Sequence, residues 1–241
     1  MQINLTSFGN SMFKNSIKRI ENEAKNLDVF ANIYCWTEHN VGDEYYQKHN
    51  DFINNTNRGF GYYLWKPHII EKTLNLIPND TFLFYVDAGC TFNLEGKTRL
   101  IEYVELLSKS SKDILSFQLE FPEKQWSKMD LCVRLNFISE EELNSKQCLT
   151  GIILFKNNSF TKKFVNNWKL IMEESYHYID DTPSIIPNDP IFVENRFDQS
   201  VYSILLKQNI KNALILPDET YWHPNWDLYK HYPIHATRIQ I

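Results

Sequence analysis

Apolar residues along this chain gather into short runs, and between the runs they recur every three or four positions. The runs "INLTSFG" (3–9), "VFANIYCW" (29–36), "TFLFYVDAG" (81–89), "DILSFQL" (113–119), "LTGIILF" (149–155) and "NALILP" (212–217) predict strands. Several are apolar throughout rather than alternating, as expected of strands covered on both faces. Helical spacing predicts helices over 11–27, 66–77, 97–109, 159–175 and 197–208. In the third, Leu100, Ile101, Val104 and Leu107 share one face; in the fourth, Phe160, Phe164, Trp168, Ile171 and Met172 form a stripe. Pro67 stands where a first-turn proline belongs, and Ser139 with Glu142 has the spacing of a capping box. Residues 37–65, 176–195 and the aromatic tail after 217 lack a clear period and are predicted as connections.

This repeated strand-then-helix order predicts an α/β fold: a mostly parallel sheet flanked by helices, in a single domain over 1–241. The length suffices for one sizeable core. A net charge of −5 argues against nucleic acid and anionic membranes as partners. The first residues lack a signal-peptide pattern and no segment approaches a membrane span, so a cytoplasmic location is expected. Cys35, Cys90, Cys132 and Cys148 are widely spaced with no CxxC pair, which favours reduced thiols over a zinc or disulfide framework. Aromatic residues reach 15%, enough either for a generous core or for a site that stacks on a nucleobase or sugar face.

In open α/β sheets, ligands bind at the C-terminal edge of the strands, so the loops there are the ones to read for chemistry. Thr6, Ser7, Phe8 and Gly9 in "TSFGNS" form either a capped strand-to-helix turn or a nucleotide approach with phosphate at the helix start. In "NRGFGYYLWKP" (57–67), Gly59 and Gly61 flank Phe60 and would let backbone approach a ligand, while Arg58 and Lys66 offer charge for a diphosphate. The plainer alternative is a surface turn with solvated cations. Asp87 ends its strand before Ala88 and Gly89, as a turn residue or as a carboxylate for a sugar hydroxyl or a metal. Trp126 and Lys128 lie in a loop opening a helix, with Asp130 as a first-turn acid. Asp198 and Gln199 in "RFDQS" begin a helix after a long polar loop. Asp198 is therefore an N-cap or a group delivered into a cleft.

Taken in order, "GFGYYLWKP", "YVDAG", "WSKMD" and "RFDQS" resemble the motif series of small GT-A type nucleotide-sugar glycosyltransferases of bacterial surface-polysaccharide synthesis and giant viruses. The resemblance implies a Rossmann-like donor half (about 1–120) and a more variable acceptor half (about 121–241). The donor would be a nucleotide-sugar, a UDP-sugar in preference to a GDP-sugar, contacted by Thr6, Ser7, Phe8, Arg58, Gly59, Gly61, Lys66, Asp87, Ala88 and Gly89. The acceptor would be a glycan or lipid-linked molecule at Trp126 and Lys128, reached at a membrane periphery if lipid-linked. Most GT-A enzymes carry Asp-x-Asp, whose last acid ligates Mn or Mg. Here Asp87-Ala88-Gly89 stands in its place, leaving Asp87, with His235, for any metal. His235 and Arg238 fall where such enzymes bring C-terminal residues onto the diphosphate, beside Lys66. Asp198, Gln199 and Asp87 are the expected catalytic groups. A non-catalytic nucleotide- or sugar-binding module on the same fold is the alternative; a nucleotidyltransferase is disfavoured because "TSFGNS" is short and uncharged.

Overall fold

Seven strands pair into one mixed sheet, and the continuous apolar runs of the sequence supply its central members. The computed structural model describes residues 1–56, 58–220 and 229–240. Its first part contains β1 (Ile3–Phe8), α1 (Lys14–Leu27), β2 (Asn32–Trp36), α2 (Asp43–Asn54), the single turn α3 (Gly59–Tyr62), α4 (Trp65–Leu76), β3 (Phe82–Val86), β4 (Thr91–Phe92) and α5 (Lys97–Lys109). The second contains β5 (Ile114–Pro122), the short helices α6 (Glu123–Trp126), α7 (Met129–Arg134) and α8 (Glu140–Asn144), and β6 (Lys146–Cys148). It continues with β7 (Ile152–Lys156), α9 (Ser159–Glu174), α10 (Phe197–Gln208), β8 (Ala213–Pro217) and β9 (Ile234–His235).

The main sheet runs β2-β1-β3-β7-β5-β6, with β8 on β5. β1 is parallel to β2 and β3, β7 is antiparallel to β3 and β5, β6 is antiparallel to β5, and β8 is parallel to β5. Five strands thus share one direction and β6 and β7 oppose them. β4 and β9 form a separate antiparallel pair. One apolar layer joins the sheet to α2, α4, α9 and α10 through Ile69, Ile70, Trp168 and Tyr202. The other joins it to α1 and α5 through Ile20, Leu27, Leu100 and Val104. Coverage on both faces is why β3 and the first four residues of β7 are apolar without alternation.

The bounds of α5 and α10 match the sequence expectation, and the capping box of Ser139 and Glu142 is present at α8. α2 lies inside a stretch read as a connection. Its buried stripe is Tyr45, His49 and Ile53, so one turn of the pattern is carried by a polar ring. β4, β6 and β9 span two or three residues, too few for a period to show. Residues 221–228 of the aromatic tail lie outside the described residues.

Candidate active site at the sheet edge

Parallel pairing brings the C-terminal ends of β1, β2 and β3 to one edge. β7 begins at that edge because it opposes β3 with Val86 against Ile152, and Asp87 N–H donates to the Gly151 carbonyl at 2.8 Å. The first turns of α4 and α10 arrive at the same place, and the side chains that meet there form a charged knot. Lys66, the second residue of α4, is 2% exposed. Its ammonium lies 2.7 Å from Asp198 Oδ2 and 3.3 Å from Asp87 Oδ1, and donates to Thr150 Oγ1 at 3.4 Å. The side chain of Asp198 is 5% exposed and that of Asp87 36%, so one carboxylate is sealed and the other reaches the surface.

Two acids on one base leave the knot with a net negative charge, and the proton affinities reflect this. Burial works against the charged Lys66, but Asp198 and then Asp87 outweigh it and hold the ammonium above the ordinary lysine value. Burial pushes the Asp198 carboxyl up, with Lys66 opposing and Asp87 adding to the rise. The Tyr85 hydroxyl donates to Asp87 Oδ1, and burial followed by the nearby Asp87 raises that phenol well above its usual range. Asp87 Oδ2 faces Gly151, where an added Cβ would stand only 3.1 Å away. The polar contacts of Asp87 thus fall on Oδ1, and its side chain is partly exposed.

A chain of buried polar groups supports this knot. Gln199 accepts from Thr150 N–H at 3.3 Å and donates to Gln147 Oε1 at 2.7 Å. Gln147 donates in turn to Glu123 Oε2 at 3.1 Å, and Glu123 pairs with Lys207 at 2.7 Å. Trp168 donates to the Asp198 carbonyl at 3.1 Å. From the other side of the sheet, Arg19 on α1 donates to the carbonyls of Ala88 and Cys90 at 3.0 and 2.9 Å, so the loop bearing Asp87 is pinned rather than free.

The wall beside Lys66 has an unusual conformation. Residues 59–63 all have positive φ: Gly59 +59°, Phe60 +53°, Gly61 +82°, Tyr62 +49° and Tyr63 +63°. Tyr62 N–H bonds to the Arg58 carbonyl at 3.0 Å and Tyr63 N–H to that of Gly59 at 3.1 Å, so α3 is one turn of left-handed helix. Such a conformation costs an L-residue roughly 1–2 kcal/mol. Packing holds it: Phe60 lies against Phe8, Tyr62 against Phe52, and both Tyr62 and Tyr63 against Phe197.

These placements give several of the sequence-predicted residues structural roles. Gly59 and Gly61 are not openings for a ligand, because an added Cβ would meet the Tyr63 ring at 2.8 Å and Ile53 Cγ1 at 3.0 Å. They serve the left-handed turn. Thr6, Ser7 and Phe8 are buried in β1: the Thr6 hydroxyl engages Thr73 and Trp36, and Phe8 stacks on Trp65 with ring centroids 4.0 Å apart. Gly9 lacks a side chain because Ile17 Cβ would stand 2.9 Å from one, so it admits α1 rather than a phosphate. Arg58 pairs with Glu194 at 3.3 Å and Asp181 at 3.9 Å, and covers the Phe197 ring. Lys128 has its partners within the protein. Its buried ammonium binds Asp180 Oδ1 and the His177 carbonyl, each at 2.8 Å, and Thr182 Oγ1 at 3.3 Å, which ties down the 176–195 loop. Trp126 supports that loop as well: its carbonyl accepts from Arg196 N–H at 3.0 Å. Asp198 caps nothing through its side chain; α10 has no side-chain cap, and the carboxylate is turned to Lys66.

His235 is buried in β9, where its Nε2 bonds to the Tyr232 carbonyl at 3.1 Å and burial lowers its proton affinity. The backbone of Arg238 lies against Gly89, whose carbonyl accepts from Ile239 N–H at 3.0 Å. Mn and Mg need several oxygen ligands, and among the described residues this edge does not gather them. Asp87 Oδ1 is shared by Tyr85 and Lys66, Gly89 offers no side chain, and no group of three His, Cys, Asp or Glu gathers among the described residues. An ammonium stands where a cation would be drawn.

Sequence reasoning missed Thr150, Tyr85 and Arg196. Thr150 and Gly151 precede an antiparallel strand, whose N-terminal end is not where the parallel-sheet rule looks. Arg196 stood inside the quoted "RFDQS" but was overshadowed by its acid.

No family model matches the sequence, and no curated protein matches it. Among solved structures, the fold is similar to that of a glycosyltransferase involved in the glycosylation of the major capsid of PBCV-1. The TM-score is 0.57 at 10% identity, over 98% of this chain and 92% of that one. It is similar to mouse xyloside xylosyltransferase 1 in its apo form, with TM-score 0.52 at 8% identity over 98% and 97% of the two chains. It is also similar to the galactosyltransferase LgtC in complex with donor and acceptor sugar analogs, with TM-score 0.50 at 9% identity over 96% and 86%. At these identities the likeness speaks to architecture, and with the mixed sheet and its edge of converging helix starts it establishes that this chain has the GT-A glycosyltransferase fold.

Proposed function

We propose that this protein is a glycosyltransferase that moves a sugar from a nucleoside-diphosphate sugar, a UDP-sugar first among the candidates, to a hydroxyl of a glycan or lipid-linked acceptor. One observation carries the reading: Asp87 and Asp198 converge on the single buried base Lys66, at the ligand edge of a GT-A fold. Glycosyl transfer passes through an oxocarbenium-like transition state, which a net negative pocket stabilises. A knot of two acids and one base provides that charge, and Lys66 keeps both carboxylates in place without cancelling them.

In this reading the partly exposed Asp87 contacts the sugar or ribose. Asp198 and Gln199 close the reacting side, with Thr150 and Lys66 fixing their orientation. The names of the similar structures support the assignment, since all three are sugar transferases and one was captured with donor and acceptor analogs. A binding module without turnover is the competing reading, and it is favoured only by Gly89 in place of a second acid. No helix among the described residues is long and apolar enough to cross a membrane, so a lipid-linked acceptor would be met at the surface. The test is release of nucleoside diphosphate from UDP- and GDP-sugars, run with wild type and Asp198→Asn. Turnover by wild type that falls by about 10²-fold or more in the variant supports the transferase. Tight nucleotide binding with no turnover on any donor, whatever hydroxyl acceptor is supplied, assigns the binding module instead.

A further inference from the structure

Helix α10 brings Asp198 to the sheet edge, and a second set of its side chains meets a buried acid. Gln199, Ser203 and Lys207 follow one another at intervals of four, so they share one face of the helix. All three engage the column formed by Glu123 of α6 and Gln147 of β6. The Ser203 hydroxyl donates to Glu123 Oε1, which also pairs with Lys207 at 2.7 Å. Ser203 Oγ in turn accepts from Cys148 N–H at 2.7 Å, tying the same face to β6. Gln199 reaches Glu123 through Gln147.

Glu123 and Gln147 are fully buried, and Thr150 and Gln199 nearly so. Buried polar groups are costly unless donors and acceptors are matched, and here the matching has a direction. At one end stands the Thr150 backbone N–H, which only donates. At the other stands the Glu123 carboxylate, which only accepts. Two carboxamides link these ends, and each could be turned either way round. A single sense satisfies every link. Thr150 N–H donates to Gln199 Oε1 at 3.3 Å, Gln199 Nε2 to Gln147 Oε1 at 2.7 Å, and Gln147 Nε2 to Glu123 Oε2 at 3.1 Å. Gln147 gives its second N–H to Ser127 Oγ at 3.3 Å. Turning one amide sets N–H against N–H and oxygen against oxygen. Turning both moves those clashes to Thr150 and Glu123.

We propose that Gln147, anchored on Glu123, is a positioning residue for the transfer site. It sets the sense of the Gln199 amide, and with it two parts of the charged knot. One is the first turn of α10, which bears Asp198; the other is Thr150, whose hydroxyl accepts from Lys66. Gln147 acts through Gln199 and Thr150 and touches no reacting group. Apolar side chains of similar volume often hold buried elements together as well as ion pairs do, so orientation is what the polar row adds. The proposal rests on the transferase reading for the reaction that is positioned, and on the row's own geometry for the rest.

The test uses the isotopically labelled full chain, without substrate, followed by nuclear magnetic resonance. Gln147→Met keeps the volume and cuts the row, while Glu123 retains Lys207, Ser203 and Ser127. The Gln199 carboxamide signal should move, and hydrogen exchange at the Thr150 amide should rise by about tenfold or more. Glu123→Gln tests the other end: its new NH2 must face either Lys207 or Gln147, so the carboxamide signals of Gln147 and Gln199 should shift or double. Ser145→Ala trims a partner of Lys207 outside the row and should leave both readouts as in wild type. For any UDP- or GDP-sugar that wild type turns over, Gln147→Met should lower kcat by about tenfold or more with KM within about twofold. A merely structural role would lower the melting temperature and move none of these. Wild-type Gln199 signals and Thr150 exchange in the folded variants would overturn the proposal, and Glu123→Gln decides alone if Gln147→Met does not fold. Wild-type kcat in a variant whose signals have moved would overturn it too. The transferase reading fails separately: moved signals in a chain that turns over no donor keep the positioning of the knot and remove the transfer.

Discussion

Replacing Lys66 by methionine tests the centre of the site. Methionine keeps the length and apolar stem but removes the ammonium, leaving Asp198 sealed in protein with no counter-charge. Breaking a buried pair by removing one partner costs about 3–5 kcal/mol, which for a chain of this size lowers the melting temperature by roughly 6–20 °C. Asp87 contributes less to that loss because its side chain is partly exposed. The deficit should depend on pH. Burial already raises the Asp198 carboxyl, and loss of Lys66 raises it further. A group with a folded value above its unfolded one, near 4, contributes stability that is fully present below the unfolded value and is lost as pH rises towards the folded one. Thermal melts of Lys66→Met should therefore lie closer to wild type at about pH 5 than at about pH 7.5, and Lys66→Met combined with Asp198→Asn should recover much of the neutral-pH loss. A single variant that melts with wild type at neutral pH, or whose deficit is equal at both pH values, would refute the account of the knot as a buried ion cluster.

The other predictions address its surroundings. Gly59→Ala forces a Cβ into the Tyr63 ring at a φ of +59°, and urea denaturation should show a loss of about 1–3 kcal/mol. Lys128→Met removes the tie between α7 and the 176–195 loop, so limited proteolysis should cut within that loop faster than in wild type while cleavage in the sheet stays slow. Burial would raise Glu173, but bonds from His49 and Lys48 override it and bring the carboxyl down to about 2. Its depressed value contributes stability present above about pH 4.5 and lost as pH falls towards 2, so Glu173→Gln should flatten that part of the acid-unfolding curve.

The layered α/β fold was legible because β3 is apolar at every position and β7 over its first four, a pattern that two-sided burial explains. Asp87 was legible for the same reason, being the polar end of such a run. Lys66 was found, but as an outward clamp; nothing local says that a lysine ahead of a proline will turn inward to meet an acid 132 positions later. Thr150, Tyr85 and Gln147 were illegible because their work comes from strand pairing across the sheet, which leaves no local period. The hand of α3 was missed by reading Gly59 and Gly61 as space, whereas their use is conformational and extends over Phe60, Tyr62 and Tyr63 as well.

That left-handed turn bears on the order of assembly. A right-handed segment such as α4 can flicker into shape before anything packs on it; a mirror-handed turn of L-residues has no such rehearsal, since its own backbone disfavours it. It becomes stable only once Ile53 and Phe52 of the preceding helix, and Phe197 from far along the chain, are packed against it. This turn is thus the last part of its surroundings to set, and the first from which native-state hydrogen exchange should escape, at the amides of Tyr62 to Leu64, while the strands behind it stay protected.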